Sequence, residues 1–313
     1  MITIEKYSSE KCKIWDEFVK KSKNGTFMLM RAYVDYHADR FTDFSLLFFD
    51  DGKLLALLPA SLHGNEVRSH GGLTYGGILT NTSMKATKML NCFDVLKEYL
   101  IENGITKLVY KKIPYIYEHY PSDEDVYALF RNGAQLYRRD ISSTIYLPNI
   151  VKLSNGKRGH VVKAQKNGVE LSESVDFDSF IELENSVLLA QHQKMAVHTA
   201  DELRKLQTSF PDNIKLHLAH YQGELVAGIL IYIYDTVVHT QYMAASEISR
   251  EIGALDYLIK NLIDKYQTTK TYFDFGISTE DDGMYLNEGL ISQKQEFGAR
   301  GVLYDFYAWE IQP

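Results

Sequence analysis

The sequence predicts an α/β protein with mixed α+β sheets, built as two copies of one unit over residues 1–150 and 151–313. Three observations carry the prediction. Apolar residues switch repeatedly between helical and strand spacing along the chain. Two hairpin turns, Asp50–Lys53 and Gln222–Gly223, occupy matching places in the two halves, roughly 165–170 residues apart. The 313 residues suffice for about two domains of roughly 150 residues, and 45% hydrophobic against 24% charged is the balance of a folded soluble chain.

In the first half, Thr3–Tyr7 reads as a short strand. Ile14, Trp15 and Phe18 place a helix over Lys11–Lys20, and a second short helix covers Arg31–Arg40. Phe44–Phe49 and Leu54–Ser61 are strands joined by the first hairpin turn, with a third strand near Glu66–Leu73. Met89, Phe93, Leu96 and Leu100 share one helical face, ending at Asn103-Gly104. Ile105–Lys111 is a strand. Ser122–Asp125 resembles a capping box for a helix running to Asn132-Gly133, and Gln135–Leu147 closes the half as strand.

The second half repeats this order. Val169–Val175 is a strand, and Asp178–Gln191 a helix with Phe180, Ile181, Val187 and Leu188 inward. Thr199–Glu202 is a capping box for a helix ending near Ser209. Ile214–Tyr221, Leu225–Tyr234 and Val237–Ala245 form a three-strand meander. Leu255, Leu258, Ile259, Leu262, Ile263 and Tyr266 make a helical stripe. Thr271–Phe275 is a strand, Glu288–Phe297 a helix and Val302–Ile311 the last strand.

Composition excludes several classes. Two cysteines, Cys12 and Cys92, exclude a disulfide scaffold and a cysteine-rich zinc module. A net charge of -7 lacks the footprint of a DNA-binding protein. The start has no signal pattern and no apolar run reaches the length of a membrane span, so a cytoplasmic protein without an integral membrane segment is expected. No metal is expected: His217 and His220 fall on opposite faces of one strand and make a poor ligand pair.

Single residues then carry the chemistry. Leu290, Lys294 and Phe297 fall at i, i+4 and i+7, so Lys294 lies on an apolar stripe, where a lysine either snorkels or faces a phosphate or oxyanion. Asp274 lies on the strand face opposite Phe273 and Phe275, where a strand-end carboxylate relays a proton, binds an amine or caps the next loop. His239 and Gln241 share a strand face opposite Tyr242; His239 reads as a base or as a satisfied core group. The polar run Gln191–Lys194 leads to His198, which has no evident structural task beside the N-cap Thr199. Ser249, Arg250, Ile252, Gly253 and Ala254 precede the stripe helix, whose N-terminus can hold a pyrophosphate with Gly253 allowing close approach. His70 to Gly77, including Tyr75, is a glycine-rich segment that admits a substrate or makes turns. Lys152, Lys157, Arg158, Lys163 and Lys166 form a basic cluster that meets phosphate or is a solvated helix face.

The element order resembles the GNAT N-acyltransferase fold occurring twice, as in the FemABX-like aminoacyl and acyltransferases. The residues that carry the resemblance are His239-Thr240-Gln241-Tyr242, Gly253-Ala254-Leu255-Asp256, Phe273-Asp274-Phe275-Gly276, Leu286-Asn287-Glu288-Gly289-Leu290 and Lys294-Gln295-Glu296-Phe297-Gly298. It implies two tandem GNAT-like domains, an acceptor side in residues 1–150 and an acyl-donor side in 151–313. It implies coenzyme A on a Gln/Arg-x-x-Gly-x-Gly/Ala loop, which Arg250–Gly253 fits in its first four positions while Leu255 departs in the sixth. Catalysis then falls to Asp274, Lys294 and His239, with Tyr285 reprotonating the thiol. Acceptor binding falls to His198, Gln241, Tyr242, Asn287, His70 and Tyr75.

The expected activity is transfer of an acyl group from acyl-CoA (acetyl-CoA) to an amine. The resemblance points to a small-molecule or nucleotide-linked acceptor such as an aminosugar or cell-envelope precursor. Two alternatives stay open: aminoacyl transfer from aminoacyl-tRNA to a peptidoglycan precursor, and a non-catalytic tandem-GNAT binding protein.

Overall fold

The computed structural model describes residues 1–193 and 195–312; Lys194 of the polar run, with the side chains of Gln191 and His192, lies outside the described residues. Two compact units emerge. One comprises Met1–Asp140, Thr279–Tyr285 and the chain from Leu303 onward; the other comprises Ile141–Ser278 and Leu286–Val302.

The first unit opens with β1 (Ile2–Lys6), α1 (Cys12–Lys21) and α2 (Arg31–Val34). Strands β2 (Thr42–Asp43) and β3 (Leu46–Asp50) follow, then β4 (Lys53–Leu58) and β5 (Ser61–His63). Asp51 and Gly52 both have positive φ, the backbone that a two-residue hairpin turn needs. The expected strand Leu54–Ser61 is two strands, because Pro59 cannot donate to a ladder. β6 (Glu66–Arg68), β7 (Leu79–Thr80), α3 (Ala86–Glu102), β8 (Lys107–Lys111) and α4 (Glu124–Arg131) complete the run. β1, β3, β4 and β7 pair in that order. β5 joins β2 and β6, and β6 runs parallel to β8. The expected capping box at Ser122–Asp125 is absent: Asp123 is the N-cap without a side-chain bond, and the Asp125 carboxylate accepts the Tyr110 hydroxyl instead.

The second unit takes up the second half of β9 (Gln135–Tyr146), then α5 (Asn155–Lys166), β10 (Glu170–Ser174), α6 (Phe177–His192) and α7 (Ala200–Ser209). Thr199 and Glu202 form the expected capping box of α7. β11 (Ile214–Tyr221), β12 (Glu224–Ile233) and β13 (Val237–Ala245) form the antiparallel meander, with β10 on its outer edge. After α8 (Glu247–Ile252) and α9 (Ala254–Tyr266), β14 (Tyr272–Ile277) lies parallel to β13 and antiparallel to β9. The two-residue strands β15 (Thr279–Glu280) and β16 (Tyr285–Leu286), helix α10 (Glu288–Gln295) and β17 (Arg300–Glu310) end the chain.

Alternation along β12 sorts the second unit's core into two faces. Ala227, Ile229 and Ile231 pack with Leu258, Leu262 and Ile263 of α9. On the other face a Cβ added to Gly228 would lie 2.6 Å from the Phe180 ring, so glycine there lets α6 settle on the strand.

The compact units do not part at residue 150. β17 pairs with β8 through Phe306↔Lys111 to Glu310↔Lys107, and its Trp309 enters the first unit's core 5.6 Å from the Phe93 ring. Ile145 and Leu147 belong instead to the second unit's core. Each unit thus has the order strand, two helices, meander, helix, strand, helix; the first unit's closing strand is β17 from the end of the sequence, and the second's is the end of β9.

Candidate functional site

β13 and β14 pair only through Val237↔Tyr272, Val238↔Phe273 and His239↔Asp274, although both strands continue. Gln241 is the extra residue of a β-bulge, since Thr240 faces Ile231 and Tyr242 faces Leu230. Gly276 turns β14 with φ +74. Beyond the last rung lies a cavity of about 380 Å³. Met243, Ala245, Phe275, Leu255 and Ile259 give its apolar wall; Arg250, Gln293 and Lys294 are its polar members.

At that last rung Asp274 is fully buried. One carboxylate oxygen accepts the hydroxyls of Ser142 (2.5 Å) and Thr144 (2.6 Å) from β9; the other lies 2.7 Å from His239 Nδ1. Burial pushes the Asp274 pKa up, but the hydrogen bonds and charge interaction with His239, with the two hydroxyls, outweigh it and hold it below the usual range. With Nδ1–H donating to the carboxylate, the acceptor lone pair of a neutral imidazole would lie on Nε2.

Lys294 is 5% exposed, so its ammonium does not snorkel into solvent. It donates to the carbonyls of Gly276 (2.9 Å) and Ile277 (2.8 Å), tying α10 to the end of β14. Burial pulls its pKa down to about 8, against the raising influence of Asp274.

Other expected residues take different places. His198 is buried and its Nδ1 bonds the Tyr242 hydroxyl, so these two do meet. Asn287 caps α10 by accepting the Leu290 N–H. Ser249 Oγ accepts the Leu255 N–H, joining α8 to α9, and Ile252 and Ala254 are buried beside it. Gly253 has φ +81, and an added Cβ would lie 2.5 Å from the His160 carbonyl oxygen, so its missing side chain admits α5. Lys157 of the basic cluster is buried, not solvated, and with His160 it binds Asp256 in the first turn of α9. Tyr285 is 58% exposed and falls in the first unit, whereas Asp274 and Lys294 belong to the second. His70 and Tyr75 are buried in the first unit: burial drives the His70 pKa down to about 3, and the Tyr75 hydroxyl bonds Thr26. Among the described residues no three His, Cys, Asp or Glu side chains gather as a metal site.

Three further residues belong to this region. Ser142 and Thr144 belong to a run of three hydroxyl residues, Ser142-Ser143-Thr144, and at i and i+2 they share one face of β9. Glu184 carries the same signal as Lys294, a charged residue on the inward stripe of its helix, between Phe180, Ile181 and Val187.

Residues 158–282 match the family model of the acetyltransferase (GNAT) domain. The second unit carries a GNAT acetyltransferase domain. No curated protein matches the sequence. Among solved structures, FemX aligns with TM-score 0.69 and 12% identity over 98% of this chain and 97% of its own. L-PGS from Bacillus licheniformis aligns with TM-score 0.65 and 14% identity over 99% and 94%. A tandem GNAT protein from the clavulanic acid biosynthesis pathway aligns with TM-score 0.53 and 10% identity over 100% and 99%. At such identities the fold alone is shared, and it is the tandem GNAT fold that the element order predicts.

Proposed function

We propose that the GNAT domain transfers an acyl group from an acyl-CoA, acetyl-CoA being the simplest, to the amine of a small or nucleotide-linked acceptor such as an aminosugar or cell-envelope precursor. The observation that carries this reading is the cavity beyond the last β13–β14 rung, with Lys294 in its wall, together with the His239–Asp274 pair on that rung. The apolar wall suits the thin arm of a thioester donor, and Arg250 offers a cation for its phosphates.

The acceptor nitrogen attacks the thioester carbonyl, and backbone N–H groups of β13 beside the bulge stabilise the oxyanion. The tetrahedral nitrogen then passes a proton to His239 Nε2, which returns it to the departing sulfur as the C–S bond breaks. Asp274 holds the imidazole in the tautomer that makes this possible. The Lys294 ammonium adds positive charge near the developing oxyanion.

A second reading has its own support. The space beside Gly253 belongs to α5, and the Asp256 carboxylate stands in the first turn of α9, where a pyrophosphate would sit. One structure of the same fold is a putative lysylphosphatidylglycerol synthetase domain, aligned with TM-score 0.65 and 10% identity. An aminoacyl-tRNA donor with a peptidoglycan or lipid-linked acceptor fits these features. No helix among the described residues is long and apolar enough to cross a membrane, and a cytoplasmic site of action is proposed.

Thiol release from acetyl-CoA with a panel of amines, run beside aminoacyl-tRNA with the same panel, tests the reading. Turnover with acyl-CoA supports it. Turnover with aminoacyl-tRNA alone moves the donor assignment to the second reading, and neither leaves a binding protein.

A further inference from the structure

The glycine-rich segment from His70 to Gly77 in the first unit is left unused by the proposed reaction, yet three histidines gather on it. His37, in the 3-10 turn Asp35–His37, is 2% exposed, and neither of its ring nitrogens has a hydrogen-bond partner among the described residues. Its ring stacks on Tyr36 at 4.2 Å and lies 5.3 Å from the His70 ring. The Phe41 ring lies 5.4 Å from His70 and 6.0 Å from His63. The imidazoles rest on bare main chain: a Cβ added to Gly71 would lie 2.7 Å from His63 Nε2, and one added to Gly72 would overlap His37 Nε2.

Two of the rings hold this segment by accepting. His70 Nδ1 accepts the Gly72 N–H (3.3 Å). Ser61 Oγ accepts the Gly71 N–H (2.8 Å) and, in the tautomer with Nε2 unprotonated, donates its own proton to His63 (2.9 Å). A ring nitrogen that has taken a proton has no lone pair left to accept with. Protonation therefore sets His70 Nδ1–H against the Gly72 N–H and turns the Ser61 hydroxyl away from His63. At His37 it buries a charge on a ring that makes no hydrogen bond. His70 also holds φ +45, which a non-glycine residue adopts at a cost. The Lys111 ammonium already occupies the carbonyls of His70 (3.0 Å), Gly71 (3.2 Å) and Leu73 (2.6 Å).

Burial is the main cause that keeps all three imidazoles below their ordinary pKa, His70 at about 3. The cations Arg31, Arg40, Arg68 and Lys111 add to it; the carboxylates Asp35, Asp39, Asp43 and Glu66 oppose it.

We propose that His37, His63 and His70 form an acid latch, which shuts the glycine-rich segment against β5 and β8 while all three rings are neutral and releases it in mild acid. The latch goes beyond the acyl-transfer reading and does not depend on it. In the released segment each imidazole takes up a proton near its ordinary value of about 6.5, which the shut cluster resists. The opening constant then climbs by up to about tenfold per pH unit for each histidine as pH falls through this range.

Amide hydrogen exchange in the full chain tests the latch. The reporters are the N–H groups of Gly71, Gly72, Leu73 and Gly76, all bonded in the shut segment. Corrected for the intrinsic pH dependence of exchange, their protection is expected to fall by more than about tenfold per unit between about pH 6.5 and about pH 5. Amides of β11–β13 are expected to stay protected. Two variants assign the protons. His37→Phe keeps an aromatic ring and loses no hydrogen bond, and His70→Asn suits the positive φ without a titrating group. Each should make the slope shallower by up to about tenfold per unit, and either one, folded, decides the question. Protection that does not change with pH overturns the proposal. A wild-type slope in the folded variants overturns it too, and so does an equal loss through β11–β13, because the opening is then that of the whole chain.

Discussion

His239 Nδ1 stands 2.7 Å from the Asp274 carboxylate at the last rung shared by β13 and β14, so the pair exists only because two strands distant in sequence lie parallel there. Asp274→Asn keeps the shape and removes the charge that selects the imidazole tautomer. Turnover is expected to fall by about 10²–10⁴. The folded pKa of Asp274 is depressed, so the wild type holds a stability contribution above the unfolded value that disappears as pH falls through the folded one. The Asn variant should lack that acid-side loss in melting curves taken below the ordinary carboxylate range.

Lys294→Met removes the donor from two main-chain carbonyls. Each one left buried and unpaired costs about 1–3 kcal/mol, so the melting temperature should drop even though the apolar stripe is completed. The charged form of Lys294 is disfavoured in the fold, its pKa falling from 10.5 to about 8. The unfolded chain therefore binds more protons across that interval, and wild-type stability gains as pH rises through it. A Met variant showing the same gain would exclude Lys294 as its source.

Glu184 has the opposite sign in a different window. Its pKa rises from 4.5 to about 7, so the folded state binds more protons there and wild-type stability falls as pH climbs from 4.5 to 7. The upper bound is roughly 3 kcal/mol at 1.36 kcal/mol per unit. Glu184→Gln should flatten this slope and melt higher than wild type at pH 8. Parallel slopes in the two proteins would refute it.

Gly253 and Arg250 separate folding from donor binding. Gly253→Ala puts a Cβ onto the His160 main chain at positive φ, so α5 must shift and the melting point should fall with or without donor. Arg250 lines the cavity wall, and Arg250→Ala should weaken acetyl-CoA binding. Titration calorimetry with acetyl-CoA measures both, and equal affinities for wild type and Arg250→Ala would remove Arg250 from the donor site.

Local signals were legible where one element suffices. The hairpin turns, the α7 capping box, the α9 stripe and the oddity of Lys294 all follow from spacing within one segment. The partners of Asp274 were not legible, because Ser142 and Thr144 come from a strand some 130 residues away whose register no local pattern sets. Glu184 bore a readable signal on the Phe180–Val187 stripe, obscured by the apolar residues around it. The division near residue 150 fails for the same non-local reason: nothing within β9 or β17 reveals which core each one completes.

The first unit's core includes Trp309 and Ile311, and its edge strand β8 is covered by Phe306 to Glu310. Synthesis runs from the amino end, and domains made first ordinarily fold first. Here the first unit waits: until the last strand is made, Phe93 lacks Trp309 and β8 exposes an unpaired edge. Maturation of the amino-terminal unit thus waits for residues 306–311, and removing them would harm the part of the protein made earliest.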